Sequence, residues 1–159
     1  MFDGREVVQT LKQLGVTHVV WLPDSEIGAW ESALVAEPSI RLVRACREGE
    51  VLGIAAGLII GGARPVAMIQ CTGMFEAGDA LRNVVHDLGL PLFLVIGYRS
   101  YLDREKIPND SAREFAEPIL KAWRIPYRLL ERAEQLRELA EQYRESQAKG
   151  TAAAVLVAE

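Results

Sequence analysis

The feature that most constrains the fold is an alternation of short β-branched runs with longer amphipathic stretches. Six runs have the length and composition of buried strands, at residues 17–22, 40–45, 65–70, 91–97, 126–129 and 151–158. Helical patterns separate them, at 3–15, 25–36, 48–60, 75–87, 111–123 and 131–149. Such alternation predicts one α/β domain over residues 1–159, with three layers in which helices cover both faces of a six-stranded, mostly parallel sheet.

Four loops of this fold are candidates for a binding site. Right-handed crossovers place all strand-to-helix loops along the carboxyl edge of a parallel sheet, where such folds bind ligands. The four are Pro23-Asp24-Ser25, Arg47-Glu48, Cys71-Thr72-Gly73 and Tyr98-Arg99-Ser100.

Composition narrows the class of protein. A net charge of −4 gives no basic footprint for nucleic acid. No apolar run reaches the roughly 18–20 residues of a membrane span, and the first residues, MFDGREVVQ, lack the basic and apolar regions of a secretory signal. Cys46 and Cys71 do not form a metal-type pair and are expected to be reduced. We therefore expect a cytoplasmic enzyme or interaction domain.

Glu48 opens an almost wholly apolar helix, VLGIAAGLII. A carboxylate there is favoured by the helix dipole alone, but a helix that is apolar nearly all round should be buried, which places Glu48 at a buried ligand edge. Gly49, Gly53 and Gly57 recur on one face, which suits close approach of a partner chain or tight packing within the domain. Glu50 lies roughly 200° around the helix from Glu48, so the two are not an acid/base pair.

The segment 44–65, RACREGEVLGIAAGLIIGGARP, resembles the pyrimidine-binding (PYR) domain of thiamine-diphosphate enzymes, which has a flavodoxin-like fold. In that family a glutamate precedes an AAG- or AEG-type helix and a glycine follows nine residues later, which is the spacing of Glu48 and Gly57. Three loops and one late strand resemble sulfopyruvate and phosphonopyruvate decarboxylases: Pro23-Asp24-Ser25, Gln70-Cys71-Thr72-Gly73, Gly97-Tyr98-Arg99 and IPYRLL from Ile125. Cys71 departs from the asparagine usual in that subgroup, and Met74-Phe75-Glu76 from its leucine-glycine-asparagine run.

The resemblance implies a cofactor and a partner. The family holds diphosphate and Mg²⁺ through a Gly-Asp-Gly…Asn motif, and here the nearest match, Gly78-Asp79-Ala80, lies within a predicted helix. The family pattern thus implies an alpha subunit that supplies no metal ligand. A separate beta subunit with that motif would hold Mg²⁺, in a hetero-oligomer whose alpha chains also self-associate.

The resemblance also implies roles for residues. Glu48 would be catalytic, donating a hydrogen bond to N1′ of the aminopyrimidine of thiamine diphosphate, with Pro23, Thr72 and Gly73 beside the cofactor. Asp24, Ser25 and Arg99 would meet a small 2-oxo acid. Ordinary structural roles are open for each: a turn and helix cap for Asp24 and Ser25, a strand-end turn for Thr72 and Gly73, and an exposed edge arginine for Arg99.

Other interpretations of the sequence stay open. The chain could belong to a thiamine-dependent carboligase or dehydrogenase, or be a non-catalytic scaffold or regulator. The substrate and the stoichiometry are not specified. His18, His86 and Cys71 are expected to be structural, with His86 meeting free carbonyls at a helix end and Cys71 buried as a small apolar side chain.

Overall fold

Six parallel strands form the centre of the computed structural model, which describes residues 2–24 and 27–159. Their order across the sheet is β2-β1-β3-β4-β6-β5, and each neighbouring pair is parallel. The strands are β1 (His18–Trp21), β2 (Arg41–Arg44), β3 (Pro65–Gln70), β4 (Phe93–Tyr98), β5 (Tyr127–Leu130) and β6 (Ala153–Ala158). The prediction of a mostly parallel six-stranded sheet is confirmed.

Seven α-helices lie in the described part of the chain. They are α1 (Gly4–Gln13), α2 (Glu31–Ala36), α3 (Glu48–Ile60), α4 (Cys71–Glu76), α5 (Gly78–Arg82), α6 (Ser111–Ala122) and α7 (Leu136–Lys149). Asp3 caps α1 by accepting the N–H of Arg5 at 2.8 Å. Gly15, at φ +72°, adopts the left-handed conformation that reverses the chain after α1. These two residues fix the first helix where the sequence predicts it.

Two apolar cores lie on opposite faces of the sheet. One contains Leu11 of α1, Leu34 of α2 and Tyr143 of α7. The other contains residues of the four remaining helices: Leu52, Met74, Leu81 and Leu120. Strands β3 and β4 are central, and residues 66–69 and 93–96 are fully buried. The predicted three-layer arrangement is therefore confirmed, and it holds the carboxyl ends of the central strands rigidly.

Two predicted helices are wrong in detail. In the described part of the pattern over 25–36, a short 3₁₀ turn, Ile27–Trp30, is followed by α2, and Asp24 accepts the N–H of Ile27 at 2.8 Å; the predicted cap, Ser25, lies outside the described residues. The pattern over 75–87 begins earlier, as α4, breaks at Ala77, and continues as α5 and a π-helical turn, Asn83–Asp87. Cys71, Thr72 and Gly73 are thus the first turn of a helix and not a loop.

Helix α3 is not buried all round, which corrects a second expectation. Val51, Leu52, Ala55 and Ala56 face the core. The opposite face is open: a Cβ placed on Gly53 or Gly57 would meet no atom within 4 Å, and Ile60 is 69% exposed. Tight packing within the domain therefore does not account for those glycines.

Candidate active site

A cavity of about 560 Å³ opens at the carboxyl edge of the sheet. All four predicted loops contribute to its wall, because parallel strands end at the same edge. The residues that line it are Leu22, Pro23, Asp24, Glu48, Gln70, Thr72, Arg99, Ser100, Asp103, Ile107 and Glu159. Five of the seven predicted site residues are among them: Pro23, Asp24, Glu48, Thr72 and Arg99.

Glu48 is held over a glycine. It is the first residue of α3, half-buried, and its side chain lies against Gly73 of α4. A Cβ on Gly73 would come within 2.5 Å of Glu48 Oε1 and 2.7 Å of Cδ. Only a residue without a side chain leaves this space for the carboxyl group, which gives Gly73 a steric function.

The amino end of α3 is fixed by Glu76. The N–H of Gly49 donates to Glu76 Oε2 at 3.3 Å, and Arg47 pairs with Glu76 Oε1 at 3.4 Å. Glu50 turns away from the cavity and accepts the N–H of Cys46 at 3.0 Å. The structure therefore separates Glu48 from Glu50, as the helical spacing predicts.

Asp24, which follows β1, and Glu159, which follows β6, converge on Gly97 of β4. A Cβ on Gly97 would lie 2.7 Å from Asp24 Oδ2 and 3.0 Å from Glu159 Cδ. Glu159 follows β6 directly, and the N–H of Leu102 donates to its backbone carbonyl at 2.7 Å. Sequence reasoning missed Glu159, whose only signal is its place after the sixth strand.

Arg99 leaves β4 and forms an ion pair with Asp110. Its Nε lies 3.3 Å from Asp110 Oδ2, which also accepts the Ser100 hydroxyl at 2.7 Å. Asp110 Oδ1 accepts the N–H of Ala112 at 2.9 Å and so caps α6. The Ser100 hydrogen bond is the main reason that the pKa of Asp110 is lowered, with the Arg99 charge contributing. Asp110 was not among the predicted site residues.

The strand-to-helix junction at β3 forms the rear of the cavity. Thr72 Oγ1 donates to Gln70 Oε1 at 2.9 Å, which orients both side chains. Cys71 is fully buried, and burial raises the pKa of its thiol. A buried, protonated thiol is a poor nucleophile, so the interpretation of Cys71 as a small apolar side chain fits the structure.

The two histidines lie elsewhere. His86 Nε2 is 2.8 Å from the carbonyl oxygen of Trp123, at the end of α6. His18 begins β1 and its Nδ1 contacts the Thr17 hydroxyl at 2.8 Å. Neither lines the cavity. Ser25, predicted to line the pocket, lies outside the described residues.

The cavity carries more negative than positive charge. Asp24, Glu48, Asp103 and Glu159 contribute carboxyl groups, whereas Arg99 is the one basic side chain among the described residues of its wall. Within residues 2–24 and 27–159, no group of three or more histidine, cysteine, aspartate or glutamate side chains is placed to hold a metal ion. No helix in the same part of the chain is long and apolar enough to span a membrane.

A parallel α/β domain with a polar cavity at the carboxyl ends of its strands is a ligand-binding domain of the doubly wound class. The family follows from direct comparison of sequences. The chain belongs to the family described as "Thiamine pyrophosphate enzyme, N-terminal TPP binding domain", whose model matches residues 4–118.

Individual relatives are decarboxylases. The chain is 27% identical over 99 residues to a phosphonopyruvate decarboxylase of Streptomyces viridochromogenes, a match that covers 62% of this chain and 25% of the relative. It is 22% identical over 127 residues to the sulfopyruvate decarboxylase subunit alpha of Methanococcus maripaludis, covering 80% and 76%. The chain thus spans about a quarter of the phosphonopyruvate decarboxylase and most of the alpha subunit.

A solved structure shares the fold. The superposition on a chain described as "Split gene transketolase, inactive beta4 tetramer" has a TM-score of 0.71 at 13% identity, and covers 98% of this chain and 49% of that one. At this identity the likeness concerns the fold alone.

Proposed function

We propose that the chain is the alpha (PYR) subunit of a two-chain thiamine-diphosphate- and Mg²⁺-dependent 2-oxo acid decarboxylase of the sulfopyruvate/phosphonopyruvate type. In this proposal residues 1–159 form one PYR domain. The observation that carries it is the seating of Glu48 over Gly73 at the mouth of the cavity. The decarboxylase relatives and the match to a sulfopyruvate decarboxylase subunit alpha support it.

The residues around Glu48 fit one end of the cofactor. Glu48 offers the hydrogen bond that an aminopyrimidine ring nitrogen needs, and Gly73 leaves room beside it. Pro23 and Thr72 line the same cavity and would contact the ring. When bound, the cofactor supplies the electron sink that decarboxylation of a 2-oxo acid requires.

Glu48 must be protonated to donate to the ring nitrogen. Covering the amino end of α3 with the cofactor and a partner chain would remove water from the carboxyl group, which favours its neutral form. A carboxyl group can pass its proton to a ring nitrogen and take it back, whereas an amide cannot. In this proposal Glu48 therefore holds a proton and exchanges it with N1′ of the aminopyrimidine ring.

The other end of the cofactor does not fit this chain. A diphosphate group would lie close to the carboxyl groups of Asp24, Asp103 and Glu159 in the cavity wall. The negative charges of the diphosphate and the carboxylates would repel each other. In the proposal a beta subunit with a Gly-Asp-Gly…Asn motif binds the diphosphate and Mg²⁺. Asp24 and Arg99 would face the 2-oxo acid, as would Ser25.

The proposal has two further parts. Cys46 and Cys71 are free thiols, as in a reducing compartment, which supports a cytoplasmic location. The open face of α3, with Gly53 and Gly57, supports association with other chains, either the beta subunit or a second alpha subunit. Sedimentation of the mixed subunits would give the stoichiometry.

The test is the substitution Glu48→Gln. The variant chain is reconstituted with the beta subunit that co-purifies with the wild-type chain. CO₂ release from sulfopyruvate, phosphonopyruvate and pyruvate is measured with thiamine diphosphate and Mg²⁺. We expect a loss of at least ~10²-fold, typical for removal of a general acid–base group. Glu50→Gln is the matched control, because Glu50 lies in the same helical turn but faces away, and its activity should stay within about twofold of wild type.

Three results would contradict the proposal. Full activity of Glu48→Gln would remove its central residue. A wild-type pair that releases CO₂ only with an acceptor aldehyde present would indicate a carboligase. No turnover of any 2-oxo acid, with the fold intact, would indicate a scaffold or regulator.

A further inference from the structure

Arg99 is the one place in the cavity wall, among the described residues, where an anionic group finds positive charge. Its side chain is 56% exposed, so a free arginine here would sample many rotamers. A guanidinium binds a carboxylate, sulfonate or phosphonate well only when its fork is presented in one orientation. What orients Arg99 therefore decides how well the cavity binds an anion.

Both the backbone and the side chain of Arg99 are held. Its backbone follows β4 directly, one residue after Tyr98. Its side-chain Nε contacts Asp110 Oδ2 at 3.3 Å. A contact through Nε leaves Nη1 and Nη2 available to donate to two oxygen atoms of an anion.

Asp110 is itself immobilised. Its side chain is only 12% exposed, and it accepts hydrogen bonds from the Ser100 hydroxyl and from the N–H of Ala112. Helix α6 also clamps the segment that connects Arg99 to Asp110. From that helix, Arg113 donates to the carbonyl oxygens of Ser100 (3.3 Å), Ile107 (2.8 Å) and Pro108 (2.7 Å). The carboxylate behind Arg99 thus has a fixed position.

We infer that Asp110 is a positioning residue, which orients Arg99 to receive an anionic oxygen group of the substrate. The inference rests on the proposed function for the identity of the substrate. Asp110 does not face the cavity as part of its wall and acts only through Arg99. The same wall carries four carboxyl groups, and Arg99 is its one basic side chain among the described residues, which makes the orientation of Arg99 important for binding an anion.

A double-mutant cycle on the reconstituted enzyme tests this, with sulfopyruvate as the probe. Arg99→Ala should raise KM about 10²-fold, as expected for loss of a charge-assisted bidentate contact. Asp110→Asn should raise KM about tenfold in the native background but less than about twofold in the Arg99→Ala background. In all variants kcat should change less than about threefold, because binding and not chemistry is altered.

The control is Asp79→Asn, which breaks an exposed aspartate–arginine pair, Asp79 with Arg82, away from the cavity. Its KM should not change. The amide introduced by Asp110→Asn keeps an oxygen that can cap α6; if the variant nevertheless unfolds, Arg99→Lys takes its place, because lysine keeps the charge and lacks the fork. A tenfold higher KM for Arg99→Lys is then expected, and an unchanged KM would overturn the inference.

Equilibrium titration of the complex with sulfopyruvate separates the two proposals. Turnover together with additive effects of Arg99→Ala and Asp110→Asn would overturn the positioning role alone. Coupled effects on Kd without turnover would sustain the positioning role and overturn the decarboxylase assignment. A parallel series with pyruvate identifies the anion: an equal rise in KM places Arg99 at the shared carboxylate, and a rise for sulfopyruvate alone places it at the sulfonate.

Discussion

The exchange Gly73→Ala tests whether the placement of Glu48 matters. The added Cβ would lie 2.5 Å from Glu48 Oε1, whereas ordinary contacts begin at 3.4 Å. The carboxyl group must therefore move by about 1 Å, and misplacing a reacting group by that distance costs on the order of 10²-fold in rate. We expect kcat of the reconstituted enzyme to fall by about this factor.

Stability should change little, because the three atoms nearest to the added Cβ all belong to the flexible side chain of Glu48 and none to the backbone. Alanine is also the better helix former by up to about 1 kcal/mol, and Gly73 lies in α4. The melting temperature of the isolated chain should stay within about 4 °C of wild type. Gly53→Ala, which meets no atom within 4 Å, is the matched control for helix propensity in the same melting experiment.

The assay is CO₂ release at saturating substrate over a range of thiamine diphosphate concentrations. A displaced Glu48 lowers kcat even at saturating cofactor. If Gly73→Ala keeps more than half of the wild-type kcat, or if all lost activity returns at high cofactor concentration, the reasoning about Glu48 is wrong.

Three further predictions concern the fold. Asp3→Ala removes the cap of α1 and should lower the free energy of unfolding by about 1 kcal/mol in urea titrations. Leu52→Ala, at a fully buried position of α3, should cost about 2–5 kcal/mol, whereas Ile60→Ala, which is 69% exposed, should cost less than about 0.5 kcal/mol. The hydrogen bond from the Ser39 hydroxyl, with help from Lys12, lowers the pKa of Glu37 from 4.5 to about 2; its stabilising effect is therefore present above pH 4.5 and lost as the pH falls to about 2. Carboxyl-carbon NMR titration should give that midpoint, and Ser39→Ala should move it back toward 4.5.

Strong periodic signals predicted the elements that build the site. Helix α3 and strand β3 have the bounds that the sequence indicates, Glu48–Ile60 and Pro65–Gln70. An apolar run that starts with two acidic residues and ends at paired glycines leaves little choice of bounds. Because the strand order brings all four loops to one edge, Glu48 and Arg99 fall in the same cavity as expected.

Contacts without a periodic signal could not be predicted. Cys71-Thr72-Gly73 has the composition of a turn, yet it enters a helix at once because packing of Met74 in the core overrides local preference. Asp110 reaches Arg99 across an irregular segment, and no spacing rule covers such a pair. The open face of α3 was also missed, since apolar composition alone does not say which face of a helix the domain leaves uncovered.

The lack of a side chain at Gly97 couples the evolution of residues at three separate strand ends. Two carboxyl groups, from Asp24 and Glu159, occupy the space that any side chain at position 97 would need. A larger residue could be accepted there only after one of the two acids had been shortened or lost. Across related sequences, positions 24, 97 and 159 should therefore covary, and a lineage that exchanges one of them records a change in the chemistry of its cavity.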